Sequence, residues 1–283
     1  MDLGDRQEVE REYFNAIVKQ KWGERALIVP VVAPSFADYN SDLFSSWLAW
    51  LPSLPGKRIL ELGCGSGELA VWLALQGAEV DGVDISDESI RIANTRASEN
   101  GVSDRAVFAS VGGEDLPFAD GTFDAVVICV ALHHMDVPKT LREISRVLKP
   151  GGCFVAIEPF IFSKTLQGIR ESRFVQMIFP ERRETPTERM LDERDRRELH
   201  LVFGNSAAIP RRCFSAIIAK FPFVLSLVAR VGSKNPERAK RRFVQYVQRI
   251  DSKIFDTFSF MRPLARYAIL YAEKRSEVGA LKK

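Results

Sequence analysis

The sequence predicts an α/β fold, a mostly parallel sheet with helices on both faces, and three observations carry that expectation. Apolar runs of strand length alternate with helical stretches from residue 58 to residue 158, and such alternation needs crossover helices between parallel strands. The first run continues as ILELGCGSGELA at 59–70, an apolar segment followed by glycines at alternate positions, which describes a buried strand turning sharply into a helix. A second apolar run, VDGVDIS, closes on Asp84, 19 residues beyond Gly65.

The elements follow in order. Val9, Tyr13, Ile17 and Val18 are helically spaced within 7–21, and 41–50 reads as a second helix stopped before Pro52. These predict N-terminal lid helices over 1–55. Residues 56–159 form the expected core, with strands at 58–62, 79–84, 106–110, 123–130 and 153–158 and helices at 67–76, 87–100 and 138–148. KPGG at 149–152 is a helix stop and turn, since proline cannot continue a helix and glycine turns freely. Beyond Pro159 the sequence becomes charge-rich and helical, predicting a helical cap over 160–255. RYAILYAE at 266–273 reads as a strand paired with 257–261 through Arg262 and Pro263, a C-terminal strand pair within 256–283.

Composition bounds the classes. The chain has 283 residues, 46% hydrophobic and 27% charged, enough for one sizeable core with an elaboration. No uncharged apolar run reaches membrane-spanning length and the acidic start MDLGDRQEVE does not read as a signal peptide, so a cytoplasmic protein is expected. Cys64, Cys129, Cys153 and Cys213 are widely spaced and only three histidines accompany them, which predicts reduced thiols and no metal. Charge is asymmetric: 14 Lys+Arg stand against 24 Asp+Glu up to Glu158, and 26 against 13 from Pro159 onward. A basic second half favours an anionic partner, although alternating signs in ERRETPTERMLDERDRREL also describe a solvated helix face. FPFVLSLVARV at 221–231, with RAKRRF at 238–243 beyond it, predicts peripheral contact with an anionic membrane, or else a buried helix.

The glycine turn suits two cofactors. GSGELA at 65–70 fits the G-x-G-x-x-G/A fingerprint of a dinucleotide site, with Asp84 at ribose distance. S-adenosylmethionine shares the adenosine but replaces the pyrophosphate with a sulfonium and an ammonium. Glu61 favours the second: a carboxylate ahead of the turn repels a pyrophosphate and attracts a cation, by about 1–4 kcal/mol at contact distance.

Four ordered segments, ELGCGSG, VDGVDIS, GGEDLPFADGTFDAVVICVALHHM and LREISRVLKPGGCFVAIEP, resemble the class I S-adenosylmethionine-dependent methyltransferases, specifically the small-molecule group. The resemblance covers 57–159 and implies a Rossmann-like sheet of seven strands, with the cap inserted between strands 5 and 6. It implies that Gly63, Cys64, Gly65 and Gly67 approach the methionine part of the cofactor, with Glu61 near its ammonium. Asp84 then binds the ribose, Ile85 packs on the adenine, Glu114, Asp115 and Leu116 border the adenine amine, and Val130 closes the fourth strand beside the cofactor. Gly112 departs from the family, which often has an acidic residue at that place.

For the reaction itself, His133 and His134 follow the fourth strand, where an imidazole can take a proton from an acceptor hydroxyl. His134 is the more typical position by resemblance, with Glu158 and Tyr13 as further substrate contacts. Phe174, Phe179, Phe203, Phe214, Phe221, Phe223, Phe243, Tyr246 and Phe255 predict a pocket for a bulky lipophilic acceptor, or the cap's own core. The leading expectation is a methyltransferase acting on a small lipophilic or anionic molecule, at oxygen. Two alternatives are an RNA methyltransferase using the basic cap, against which ALHH stands where N-P-P-[YF] is expected, and a non-catalytic binding protein of the same fold.

Overall fold

The computed structural model describes residues 2–22, 41–173, 177, 185, 188–211 and 236–275. Helices α1 (Leu3–Trp22) and α2 (Ser41–Leu48) precede the sheet. The core then alternates: β1 (Arg58–Leu62), α3 (Glu68–Leu75), β2 (Glu79–Asp84), α4 (Asp87–Glu99), β3 (Ala106–Ser110), β4 (Phe123–Cys129), a 3-10 turn (Leu132–His134), α5 (Val137–Val147) and β5 (Leu148–Pro159). Helices α6 (Lys164–Arg170) and α7 (Glu193–Phe203), strand β6 (Asn205–Arg211), helix α8 (Pro236–Thr257), a second 3-10 segment (Ser259–Leu264) and β7 (Tyr267–Glu273) complete it.

The seven strands form one sheet in the order β3-β2-β1-β4-β5-β7-β6. β1 to β5 pair in parallel, whereas β7 runs antiparallel to both β5 and β6. Successive residues of a strand point to opposite faces, and here both faces are covered. Ile59, Val127 and Val155 pack on one side with Leu43, Trp47 and Leu73. Leu60, Val126 and Phe154 pack on the other with Leu141, Ile144 and Phe203. Trp47, 1% exposed, donates its indole N–H to the Val155 carbonyl at 3.3 Å, fastening α2 to the sheet.

Local chemistry sets the helix starts. Ser86 caps α4 by accepting the Ser89 amide, and Asp136 caps α5 by accepting the Lys139 amide with Pro138 in the first turn. Asp192 and Asp195 form a reciprocal capping box on α7. On α5, Val137, Leu141, Ile144 and Val147 are buried on one stripe, which lays that helix along the sheet.

The sixth strand differs from expectation. Residues 257–261 are the end of α8 and the start of a 3-10 segment, and the strand pair of the C-terminal region is not formed there. Asn205–Arg211 supplies the sixth strand instead, pairing along the outer edge of β7. Its sequence NSAAIPR is small, polar and interrupted by Pro210, which only an edge strand tolerates, so it carries no strand signal. The segment between strands 5 and 6 is therefore 160–204, and the remaining helical sequence lies between β6 and β7 rather than in one insertion over 160–255. β5 also starts earlier than 153, because KPGG runs inside the strand across a register shift opposite 123–125. Phe174, Phe179, Phe214, Phe221, Phe223, Cys213 and the apolar run at 221–231 lie outside the described residues.

Candidate functional site

Strand order reverses between β1 and β4, and a cavity of about 270 Å³ opens beyond the carboxyl ends of these strands and β2. Its floor is the glycine turn. Gly63, Gly65 and Gly67 have φ of 72°, 49° and 75°, a region closed to most side chains. A Cβ on Gly63 would stand 2.4 Å from that of Ala131, so only glycine lets the turn pass the loop after β4. A Cβ on Gly65, which lines the cavity, would meet no atom within 4 Å. From α4 the Arg96 Nε donates to the Ser66 carbonyl at 2.8 Å and steadies the turn from behind.

Asp84 closes β2 against this turn. Its Oδ2 accepts the Gly65 amide at 2.8 Å and its Oδ1 the Ser86 amide at 2.9 Å. Burial raises its pKa, against the opposing pull of those amides. A carboxylate has about four lone-pair sites, and the backbone amides of Gly65, Ser86 and Ile85 leave it able to accept from a ligand hydroxyl as well. Ile85, which follows it, lines the same wall with Val111.

Glu61 sits one step behind, 3% exposed, and accepts from the Ala70 amide in the first turn of α3. Its Oε2 has no hydrogen-bond partner among the described residues. Burial lifts its pKa well above the usual carboxylate range, and Asp84 and Glu68 add repulsion. Acidic groups thus accumulate behind the turn with one oxygen unsatisfied. A ligand carrying positive charge relieves this strain and a pyrophosphate aggravates it, so these residues fit S-adenosylmethionine and not a dinucleotide.

The roof comes from α1, one of the expected lid helices, but through residues that were not among the expected site residues. Gln7, Glu10, Phe14 and Ile17 recur at helical spacing and all line the cavity. The signal was present as a polar residue, Glu10, on the same face as Phe14 and Ile17. Gln7 donates to Glu114 Oε2 at 2.9 Å, Asn15 Oδ1 accepts from Ser86 Oγ at 2.7 Å, and α1 is thereby held to the core.

The other expected site residues divide clearly. Gly63, Gly65, Asp84, Ile85, Glu114, Val130 and His134 face the cavity. Cys64 and Gly67 pack behind the turn, and burial pushes the Cys64 thiol up, away from reactivity. Glu114 spends both oxygens, accepting from Gln7 and from the Asp136 amide at 2.9 Å, and Gly112 and Gly113 line the cavity beside it. Asp115 is exposed and Leu116 is a core residue. Tyr13 stacks edge-on against Phe14 outside the cavity wall.

The two histidines have different surroundings. Glu158 is fully buried; its Oε1 accepts the amides of Ala131 and Leu132, and its Oε2 lies 2.7 Å from His133 Nδ1. His133 is therefore fixed inside the loop. His134 lines the cavity, with Phe14 edge-on at 5.2 Å and Glu10 Oε2 3.3 Å from its Nδ1. Between strand and loop, Val130 holds φ 57°, the single non-glycine positive φ among the described residues, and its side chain joins the cavity wall.

Sheet order, reversed seventh strand and glycine turn define a class I S-adenosylmethionine-dependent methyltransferase fold. The family model described as a methyltransferase domain matches residues 60–156. The 27-O-demethylrifamycin SV methyltransferase of Amycolatopsis mediterranei is 41% identical over 143 residues, 49% of this chain and 53% of that one. The chain spans about half the length of the curated relatives it matches. Among solved structures, geranyl diphosphate C-methyltransferase from Streptomyces coelicolor superposes with TM-score 0.56 at 18% identity over 95% of this chain and 98% of that one. The [4+2]-cyclase SpnF superposes with TM-score 0.57 at 20% identity over 96% of each chain. These two establish the fold alone. Residues 60–156 match the methyltransferase-domain family model, and the sheet has the fold of the class that uses S-adenosylmethionine.

Proposed function

We propose that the protein methylates a small lipophilic or anionic acceptor at oxygen, with His134 as general base. The observation that carries this is that Asp84 and His134 face one cavity, so a hydroxyl-binding carboxylate and a titratable imidazole act on the same enclosed space. When bound, S-adenosylmethionine supplies an electrophilic methyl on a cationic sulfur. The glycine turn would let backbone approach the ligand, Asp84 would accept from ribose hydroxyls, and Glu61 would offer an unsatisfied carboxyl oxygen behind the turn. Phe14, Ile17 and Val18 from α1 exclude water from the acceptor side. His134 then takes the acceptor's hydroxyl proton as its oxygen becomes nucleophilic. The relative named for a 27-O-demethyl substrate supports oxygen as the nucleophile.

The test is turnover. The protein is incubated with S-adenosylmethionine and a panel of hydroxylated lipophilic and anionic compounds, and products are read by mass spectrometry and fragmentation. Gain of one methyl on oxygen, lost in His134→Ala, is the expected result; methylation at carbon or nitrogen contradicts the reading.

A further inference from the structure

Glu10 lies on α1, remote in sequence from every segment that carries the cofactor turn, yet it is 3% exposed beside the cavity histidine. A carboxylate is expensive to bury without partners. Its two oxygens face two different parts of the fold. Oε1 accepts from the Thr185 hydroxyl at 2.7 Å, and Oε2 lies 3.3 Å from His134 Nδ1. That nitrogen is buried and stands at ion-pair distance from Glu10 Oε2 without a formed hydrogen bond to any described residue. Phe14, one turn further along α1, holds the same imidazole edge-on, so Glu10 and Phe14 clasp the ring from one helix face.

The cap segment closes the arrangement. Thr185 also accepts the Glu188 amide at 3.1 Å, and Glu188 Oε1 approaches His133 Nε2 at 3.9 Å. The Arg189 amide donates to the His133 carbonyl at 3.4 Å. Both the lid helix and the cap turn therefore converge on the histidine pair, whose rings are 4.2 Å apart.

We infer that Glu10 is a positioning residue that holds the Nδ1–H tautomer of His134, and that docking of α1 completes the base. The inference deepens the reading of His134 as the base. Whichever ring nitrogen is protonated is set by the partner of the other. With Nδ1–H donated to Glu10, Nε2 keeps its lone pair. The acceptor's hydroxyl proton moves to Nε2, its bonding pair stays on oxygen, and the imidazolium charge is balanced by the Glu10 carboxylate. The proton later leaves to solvent. The charged or titratable groups around His134 are Glu10 from α1, His133 from its own turn and Asp84 from the end of β2, with Arg6 and Glu114 on the same cavity wall. Glu10 is the one among them at contact distance from Nδ1. A base assembled from a lid helix works only while the lid is closed, which restricts proton transfer to the sequestered state.

The test is the nitrogen chemical shifts of the full-length protein labelled with ¹⁵N-histidine, in mildly alkaline buffer; the chain has 3 histidines, so assignment is direct. Wild type shows His134 as Nδ1–H, Glu10→Met moves it to Nε2–H, and Glu10→Gln, whose carbonyl oxygen still accepts, restores Nδ1–H. His200, on α7, is unchanged throughout. A wild-type Nε2–H tautomer overturns the inference by itself, even where Glu10→Met does not fold, as does a tautomer unchanged in folded Glu10→Met. With an acceptor in hand, Glu10→Met lowers kcat about 10- to 100-fold and leaves KM within about twofold. Calorimetry with S-adenosylmethionine separates the two ideas: absent binding in wild type removes the reading of the site, whereas the tautomer result speaks only to Glu10.

Discussion

Asp84 Oδ2 accepts the Gly65 amide at 2.8 Å, joining the end of β2 to the turn after β1. One carboxylate thus shapes the turn and faces the cavity. Gly65, at positive φ, has its amide held by a fixed partner, and Asp84 also lines the cavity.

The glycines of this turn separate by what surrounds them. Gly63→Ala combines φ 72° with a Cβ 2.4 Å from Ala131 Cβ, and is expected to cost about 3 kcal/mol or more. Gly65→Ala adds only the strain of a left-handed residue, about 1–2 kcal/mol, because its Cβ enters open space. Because Gly65 lines the cavity at a turn that backbone must approach, affinity for S-adenosylmethionine is expected to fall at least tenfold. Urea denaturation and calorimetry on both variants check this; a folded Gly65→Ala with unchanged affinity refutes it.

Glu61 predicts a pH dependence. Its folded pKa lies above the unfolded one, through burial first and then repulsion from Asp84 and Glu68. The folded chain therefore holds the extra proton. Its stabilising contribution is complete below the ordinary carboxylate range and is lost as pH rises through the raised folded value. Asp84 contributes with the same sign. Glu61→Gln is expected to flatten this decline and raise the melting temperature of the ligand-free protein at neutral pH, while weakening S-adenosylmethionine binding. A lower melting point and an unaltered pH slope would contradict the account.

Glu158 anchors the loop that carries both histidines. Glu158→Ala leaves the Ala131 and Leu132 amides and His133 without their buried acceptor, a loss of roughly 3–5 kcal/mol. Thermal melts should show this as a fall of ~10 °C. Full stability in that variant would mean that the loop holds itself.

Much of the core was legible because its signals are local. β1 to β4 each show an apolar run bounded by turn residues, and Gly65 and Asp84 announce themselves by spacing along the chain. β6 was not, since Asn205–Arg211 is a strand only by pairing with β7, and its proline reads as a break. Residues 257–261 misled in the opposite sense: aromatic residues with strand propensity end a helix instead. At the site, the histidine pair stood out in sequence, but what distinguishes its members did not. Glu158 lies 25 residues from His133 in the chain, and Glu10 far before His134, so only the folded structure shows one ring locked and the other facing the cavity.

We propose that the turn between β1 and α3, with Asp84, binds S-adenosylmethionine. Isothermal titration of wild type and Asp84→Ala, with circular dichroism to confirm the fold, tests it most directly. Saturable binding to wild type, a loss of about ten- to a hundredfold in Asp84→Ala from a lost charge-assisted hydrogen bond, and no binding of a nicotinamide dinucleotide are expected. Equal affinity in the two proteins, or preference for the dinucleotide, would contradict it.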